Sequence, residues 1–234
     1  MAQTNIARVV RGRTELWVLH NGQEIAFAYP SAGPNNYRNV GKSILNQGQR
    51  IPTGEEIASL LYAAYCIPEV QNEPEFKNVR DIMKDRWLWV YNRNLWTANG
   101  VYVLQDTQAI GRSEPLHANQ LEEMLKGGEE INGVRFGKDK RVRFAPKKTY
   151  QLGEQTPEAL AKNGFVIASY GKEGAEKLEK VSAKFRVTPY VWGIETEKPE
   201  QRVSALSEYY DYGRLDFVGG GFGDGYGRAF GVLE

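Results

Sequence analysis

Cysteine and histidine are nearly missing from this 234-residue chain: Cys66 is the single cysteine, and His20 and His117 are the two histidines. One cysteine excludes an internal disulfide, a Cys-x-x-Cys pair and any cysteine-rich zinc site. Two histidines far apart in sequence leave little material for a His-based metal centre or a catalytic triad. Glu114, Glu122 and Glu123, near His117, show no metal-ligand spacing. No Gly-x-Ser-x-Gly elbow, P-loop or His-Glu-x-x-His pair is present. Long apolar runs are also lacking. None approaches the ~20 residues of a membrane span, and residues 1–20 contain no signal-peptide core. The expectation is a protein that does not insert into a membrane and is cytoplasmic, unless exported by another route or carried on a particle. Neither charge sign is in excess, with 30 Lys+Arg against 29 Asp+Glu, so no global field recruits nucleic acid or anionic lipid. These absences predict a protein that is not an enzyme and holds no metal or cofactor.

Hydrophobic residues make up 41% and charged residues 25%, the composition of a globular protein long enough to bury a full core. Residues 5–10, 14–19 and 23–29 read as short strands, with Asn21-Gly22 as a hairpin turn, and residues 30–37 as a loop. Thr53 and Glu56 make a capping-box pattern at the start of a helix over 54–65, and a second helix is predicted over 74–84. Three of the five tryptophans fall within residues 87–106. There Trp87, Trp89 and Tyr91 alternate with Leu88 and Val90 as in a strand apolar on both faces, so the main core is placed in a hairpin turned at Asn99-Gly100. Short helices are predicted over 118–128 and after Thr156, strands over 131–136, 141–144 and 165–169, and a charged amphipathic helix over 172–184. Mixed elements without a repeating strand–helix unit argue for an α+β fold with antiparallel pairing. No internal repeat or linker divides the chain, so residues 1–234 are expected to form one domain.

Residues 138–148 hold six basic side chains and one aromatic. They suit either a phosphate-contacting stripe or the solvated face of an edge strand. With no net basic charge the second is favoured, and nucleic acid is not the expected partner. Cys66, on the apolar side of a helix end, reads as a small core residue.

Residues 207–227, SEYYDYGRLDFVGGGFGDGYG, are different in kind: seven Gly, four Tyr, three Asp and two Phe among 21 residues. They fit no glycine-rich phosphate loop and no calcium-binding nonapeptide repeat. The strand-like residues 228–234 follow, so the segment is anchored on both sides. Tyr supplies large amphipathic contact area with few rotors to freeze, and Gly lets the backbone adapt, as in recognition loops. That chemistry favours a binding surface over a catalytic one.

Arg214-Leu-Asp-Phe-Val-Gly-Gly-Gly-Phe-Gly-Asp-Gly-Tyr-Gly-Arg-Ala-Phe-Gly231 resembles the variable region of proteins diversified by diversity-generating retroelements, roughly R-L-N-x-N-G-N-N-F-N-N-N-N-G-R-A-F-G. In that family a template rich in Asn codons is copied with errors at adenines. The resemblance implies scaffold positions at Arg214, Leu215, Phe217, Gly219, Phe222 and Gly227 to Gly231. It implies diversified, ligand-binding positions at Asp216, Val218, Gly220, Gly221, Gly223, Asp224, Gly225 and Tyr226, with Tyr209, Tyr210, Asp211 and Tyr212 as an upstream cluster. An AAY codon randomised at adenines becomes NNY, which encodes no Lys, Glu, Gln, Trp or Met. Those five types make up 55 of the 234 residues, so residues 209–226 would hold about four at that rate; they hold none.

The resemblance further implies a C-type-lectin-like fold with two early helices and paired terminal strands, displaying a hypervariable surface to a ligand taken to be a protein. Tyrosines would serve as anchors and Asp211, Asp216 and Asp224 as polar selectors, while Arg214, Phe217, Phe222, Arg228 and Phe230 would hold the loop. Residues 51–56, Ile-Pro-Thr-Gly-Glu-Glu, also resemble the helix start of the formylglycine-generating enzyme branch. That enzyme's chemistry is not implied, because it needs a cysteine pair. The calcium and sugar motifs of animal lectins are missing: Leu116 follows Glu114-Pro115 where Asn would stand, and no Trp-Asn-Asp triplet occurs. Residues 107–200 match nothing. The alternatives are an enzyme of the formylglycine-generating type using another group, or a nucleic-acid-associated protein using residues 138–148.

Overall fold

The computed structural model describes residues 7–10, 15–208 and 213–234. Strands β1 (Ala7–Val10), β2 (Glu15–His20) and β3 (Gln23–Ala28) form a small antiparallel sheet, turned at Asn21-Gly22 as predicted. The stretch read as a loop contains β4 (Ala32–Asn35), and α1 (Tyr37–Asn46) follows it. Three helices therefore precede the Trp-rich strand, not two. Apolar periodicity misses α1 because its inner face is only Tyr37, Val40, Gly41 and Ile44.

Helices α2 (Gly54–Cys66) and α3 (Pro74–Asp85) lie where the sequence puts them. The α2 capping box is complete: Glu56 N–H donates to Thr53 Oγ1 at 3.1 Å, and Thr53 N–H donates to Glu56 Oε2 at 2.8 Å. Arg50 grips the same carboxylate with two bonds of 2.8 and 2.6 Å. Its backbone N–H also donates to Val232 at 3.0 Å, and Val232 N–H donates back at 2.9 Å. The carboxyl-terminal residues thus run beside β3 and the start of α2, with Ala28 N–H donating to Gly231 at 2.9 Å.

The main sheet has the order β10 (Gly153–Glu154), β11 (Val187–Trp192), β13 (Arg214–Gly221), β12 (Glu200–Glu208), β5 (Trp87–Thr97), β6 (Gly100–Gln105), β9 (Val142–Pro146), β8 (Val134–Phe136), β7 (Glu129–Ile131). Strand β14 (Gly227–Ala229) joins it, antiparallel to β4 and parallel to β5. All pairs are antiparallel except β11–β13 and β14–β5. The fold is α+β with mostly antiparallel strands.

Two local expectations fail for physical reasons. Residues 131–136 are not one strand, because Asn132-Gly133 turns the chain with both φ angles positive, 52° and 78°. Residues 165–169 are not a strand but the start of α6 (Gly164–Ser182), which follows α4 (Ala118–Leu125) and α5 (Pro157–Leu160). Every residue from Gly164 to Gly171 is buried, and a short run apolar on all sides has no period to separate helix from strand. A kink at Gly171 (φ 68°, ψ 170°) joins this run to the charged, amphipathic part. Helix α6 packs on α2, β9 extends the sheet beyond β6, and β11 lies beside β13.

The basic run does not present its six cations together: Arg143 is buried, and the other five are exposed. Lys140 pairs with Glu129 at 3.3 Å and Lys147 with Glu195 at 3.6 Å. Arg143 turns inward, donating to Glu55 Oε1 at 2.8 Å and to the Ala168 carbonyl at 3.1 Å, over the Phe136 ring. Nor is its strand an edge, since β6 and β8 flank β9.

A second polar junction ties the small sheet to the helices. His20 Nδ1 lies 2.9 Å from Ser59 Oγ, to which Lys177 Nζ also donates at 2.9 Å. Burial lowers the His20 pKa below 6.5; Glu56, Glu55 and Glu173 act against this, and Lys177 acts with it.

Arg143→Ala leaves the Glu55 carboxylate without its cation and is expected to destabilise the fold by about 3 kcal/mol. Lys140→Ala, at an exposed pair, should stay within about 0.5 kcal/mol; urea titrations of both measure the contrast. Because the His20 pKa is lower in the folded state, the unfolded chain binds that proton more tightly. Its contribution to stability is therefore complete above pH 6.5 and is lost as pH falls through the window below it. Unfolding midpoints across that window should fall more steeply for the parent chain than for His20→Gln.

Candidate functional site

Strand β13 lies between β12 and β11, with Asp216 beside Ser207 and Tyr190, and Val218 beside Ala205 and Trp192. After Gly221 the chain leaves the sheet through residues 222–226, then returns as β14 beside Trp87 and Leu88. Between this excursion, the end of α3 and the end of β11 lies a groove of about 450 Å³. Trp87 and Trp89, stacked with centroids 5.8 Å apart, form one wall. Trp192, tilted against Tyr190 with ring centroids 4.4 Å apart, contributes another part of the lining. Lys84, Asp85, Arg86, Ser207 and Glu208 also line it.

Seven of the twelve predicted binding residues line this groove: Asp216, Val218, Gly220, Gly221, Gly223, Asp224 and Gly225. Tyr226 is not among the lining but is 71% exposed. Tyr209, Tyr210, Asp211 and Tyr212 lie outside the described residues.

The glycines divide into two kinds. A methyl group at Gly219 would fall within 2.9 Å of two Phe165 ring carbons and closer still to a third. One at Gly227 would lie 2.5 Å from Trp89 Nε1. At Gly220 and Gly225 the nearest atoms would be 3.5 and 3.6 Å away, ordinary contact distance. Gly221 is tighter, at 3.0 Å from the Val203 carbonyl, and Gly223, at 3.2 Å, also has a φ of 82°, where any side chain is strained. The two glycines without room are scaffold positions in the sequence resemblance, and the two with room are diversified positions.

Asp216 is not a free selector. It is buried, accepts from Arg214 Nε at 2.8 Å and from Trp192 Nε1 at 3.1 Å, and so orients the indole that lines the groove. Burial raises its pKa above the usual carboxylate value, while Arg214 and Trp192 act to lower it. Phe222, expected to help hold the loop, does not do so by burial. It is 54% exposed, with the guanidinium groups of Arg112 and Arg202 at 4.9 and 4.3 Å from its centroid. The buried anchors are Phe217 and Phe230, while Arg228 reaches Ser31 Oγ at 3.5 Å.

Sequence reasoning missed the walls. Trp89 and Trp96 are fully buried, as the aromatic hairpin predicts, but Trp87 is only partly buried and faces the glycine loop. Trp192 is 41% exposed although Tyr190, Val191 and Ile194 surround it in sequence, so no local signal marks its exposure. Among the described residues no cluster of three or more His, Cys, Asp or Glu side chains suits a metal ion, and no helix is long and apolar enough to cross a membrane.

The chain is similar to a solved structure described as the accommodation of massive sequence variation in Nanoarchaeota by the C-type lectin fold. The two share 16% identity over 85% of this chain and 94% of that one, with a TM-score of 0.49. No protein-family model and no curated protein matches the chain.

Gly219→Ala and Gly227→Ala are each expected to cost about 1–3 kcal/mol through overpacking. Gly220→Ala and Gly225→Ala should stay within about 0.5 kcal/mol. Phe222→Ala, which loses two exposed cation–π contacts, should cost about 1 kcal/mol, against about 3–5 kcal/mol for Phe217→Ala. Chemical denaturation of the six variants reads out both contrasts.

Proposed function

We infer that the chain is a non-enzymatic binding protein: a C-type-lectin-like scaffold holding a hypervariable surface over residues 209–226, diversified by a retroelement. The observation that carries this reading is the division among the glycines. Gly219 and Gly227 press on core aromatics where the variable-region pattern has constant positions. Gly220 and Gly225 have space for a side chain where it has varied ones. A segment built this way accepts new side chains at the groove without disturbing the packing at its ends.

The distribution of exposed apolar groups supports the same reading. The exposed large hydrophobics among the described residues are Met124, Val187, Trp192, Phe222 and Tyr226. Trp192 and Phe222 line the groove, and Tyr226 directly follows its lining residue Gly225. Aromatic groups gathered around a concave, largely apolar site mark a recognition surface. In this reading Trp87 and Trp192 are the constant platform, Asp224 and Tyr226 the side chains that set specificity, and the glycines a floor whose bulk changes between variants. Cys66 does not line the groove.

Deep sequencing of the 3′ end of the gene in its source population tests the proposal. Differences confined to codons 209–226, at adenines of a nearby near-copy, are the expected result. A uniform 3′ end without a template copy would sink the diversification mechanism.

A further inference from the structure

Lys84 and Glu208 line not only the Trp-walled groove but also a second one, of about 710 Å³, beside it. The second groove has the opposite chemistry at its rim. Among the described residues Arg80, Lys84, Lys184 and Arg186 border it, with Glu208 the one carboxylate of the lining. The Arg80 guanidinium donates to the Ala64 carbonyl, and Lys84 stands 3.7 Å from Asp81. Lys184 and Arg186 are exposed and have no carboxylate partner among the described residues. By contrast, Arg50, Arg135, Arg143, Arg202 and Arg214 each hold a carboxylate. The rest of the lining is mixed: Gln71 and Asn72 stand beside Tyr65 and Phe185, whose rings lie 5.3 Å apart, and Val187, which is 40% exposed.

We propose that the two grooves together take an acidic segment of a partner protein. One of its apolar or aromatic side chains would sit against Trp87 and Trp192, and neighbouring carboxylates would meet Lys84, Lys184 and Arg186. The proposal rests on the reading of the first groove as a ligand site. A protein segment fits better than nucleic acid because the surface alternates in character. Asp85 and Asp224 stand at the first groove and repel an unbroken run of phosphates, whereas a peptide can place an uncharged side chain there and its charges beyond.

The test is selection of a random twelve-residue peptide library on the immobilised full chain, in parallel with the K184E/R186E double variant, Trp192→Ala and the groove-filling Gly225→Tyr. Melting curves establish that each variant folds, and Gly225→Tyr serves if Trp192→Ala does not. The expected outcome is enrichment of peptides carrying acidic residues beside an aromatic or branched aliphatic one. Their recovery should fall roughly tenfold in K184E/R186E and with rising salt, and also when the first groove is altered. Peptides that depend on the first groove but carry no acidic bias, or survive the charge reversal, overturn the inference and leave the ligand groove standing. If no peptide is enriched, or recovery ignores all the variants, both readings fail. A single-stranded DNA oligonucleotide that binds more tightly than the selected peptides, and is lost in K184E/R186E, replaces the protein partner with nucleic acid and equally overturns the proposal.

Discussion

Two glycines pressed against two aromatic rings hold the carboxyl-terminal segment in place. Gly219 lies on Phe165 and Gly227 on Trp89, so closely that neither position admits even a methyl group. Hydrogen bonds strengthen the first contact: Trp96 Nε1 and Asn94 Nδ2 both donate to the Gly219 carbonyl, at 2.9 and 2.8 Å. At the second, Trp89 Nε1 donates to the Asn35 carbonyl at 3.1 Å, fixing the ring against which Gly227 rests. Interiors at this density transmit the size of every added group, so the ends of the excursion are rigid in composition. Between them, Gly220 and Gly225 have ordinary contact distance around the position of an added methyl group, whereas Gly221 and Gly223 do not.

The tryptophans of β5 therefore serve two purposes. Their buried members make the core, and the same strand carries Trp87 to the edge of the groove. The platform on the other side is built differently. Trp192 is half-exposed, yet its indole N–H is tied to Asp216, which Arg214 holds in turn. A buried carboxylate is costly unless paired and hydrogen-bonded, and here its partners are the groups that orient the exposed ring. Asp216 shapes the surface from below, without standing on it.

Charge is distributed with similar economy. The chain as a whole is nearly neutral, but Arg143 is turned into the interior to meet Glu55, and Arg80, Lys84, Lys184 and Arg186 gather around one groove. A balanced total says nothing about either arrangement, because electrostatic interactions are set by distance and burial.

Much of the framework was legible in the residue order. The Thr53–Glu56 cap, the Pro74 helix start, the Asn21-Gly22 turn and the alternation from Trp87 are local signals, each read within a few residues, and each produced its element. The composition and motif of the carboxyl-terminal segment single out twelve residues, of which seven line one groove. The losses also have a local cause. Helix α1 has too narrow an apolar face to show a period, and residues 165–169 are buried on every side and show none. What the residue order could not supply was which distant groups meet. Trp192 reaches the glycine segment only because β11 pairs in parallel with β13, the half-exposed Phe222 ring meets arginines from β12 and from a distant loop, and Arg143 finds Glu55 across 88 positions of chain. Local signals fix elements because they act through neighbouring backbone groups. A binding surface is made by side chains far apart in sequence, and only packing decides which of them share it.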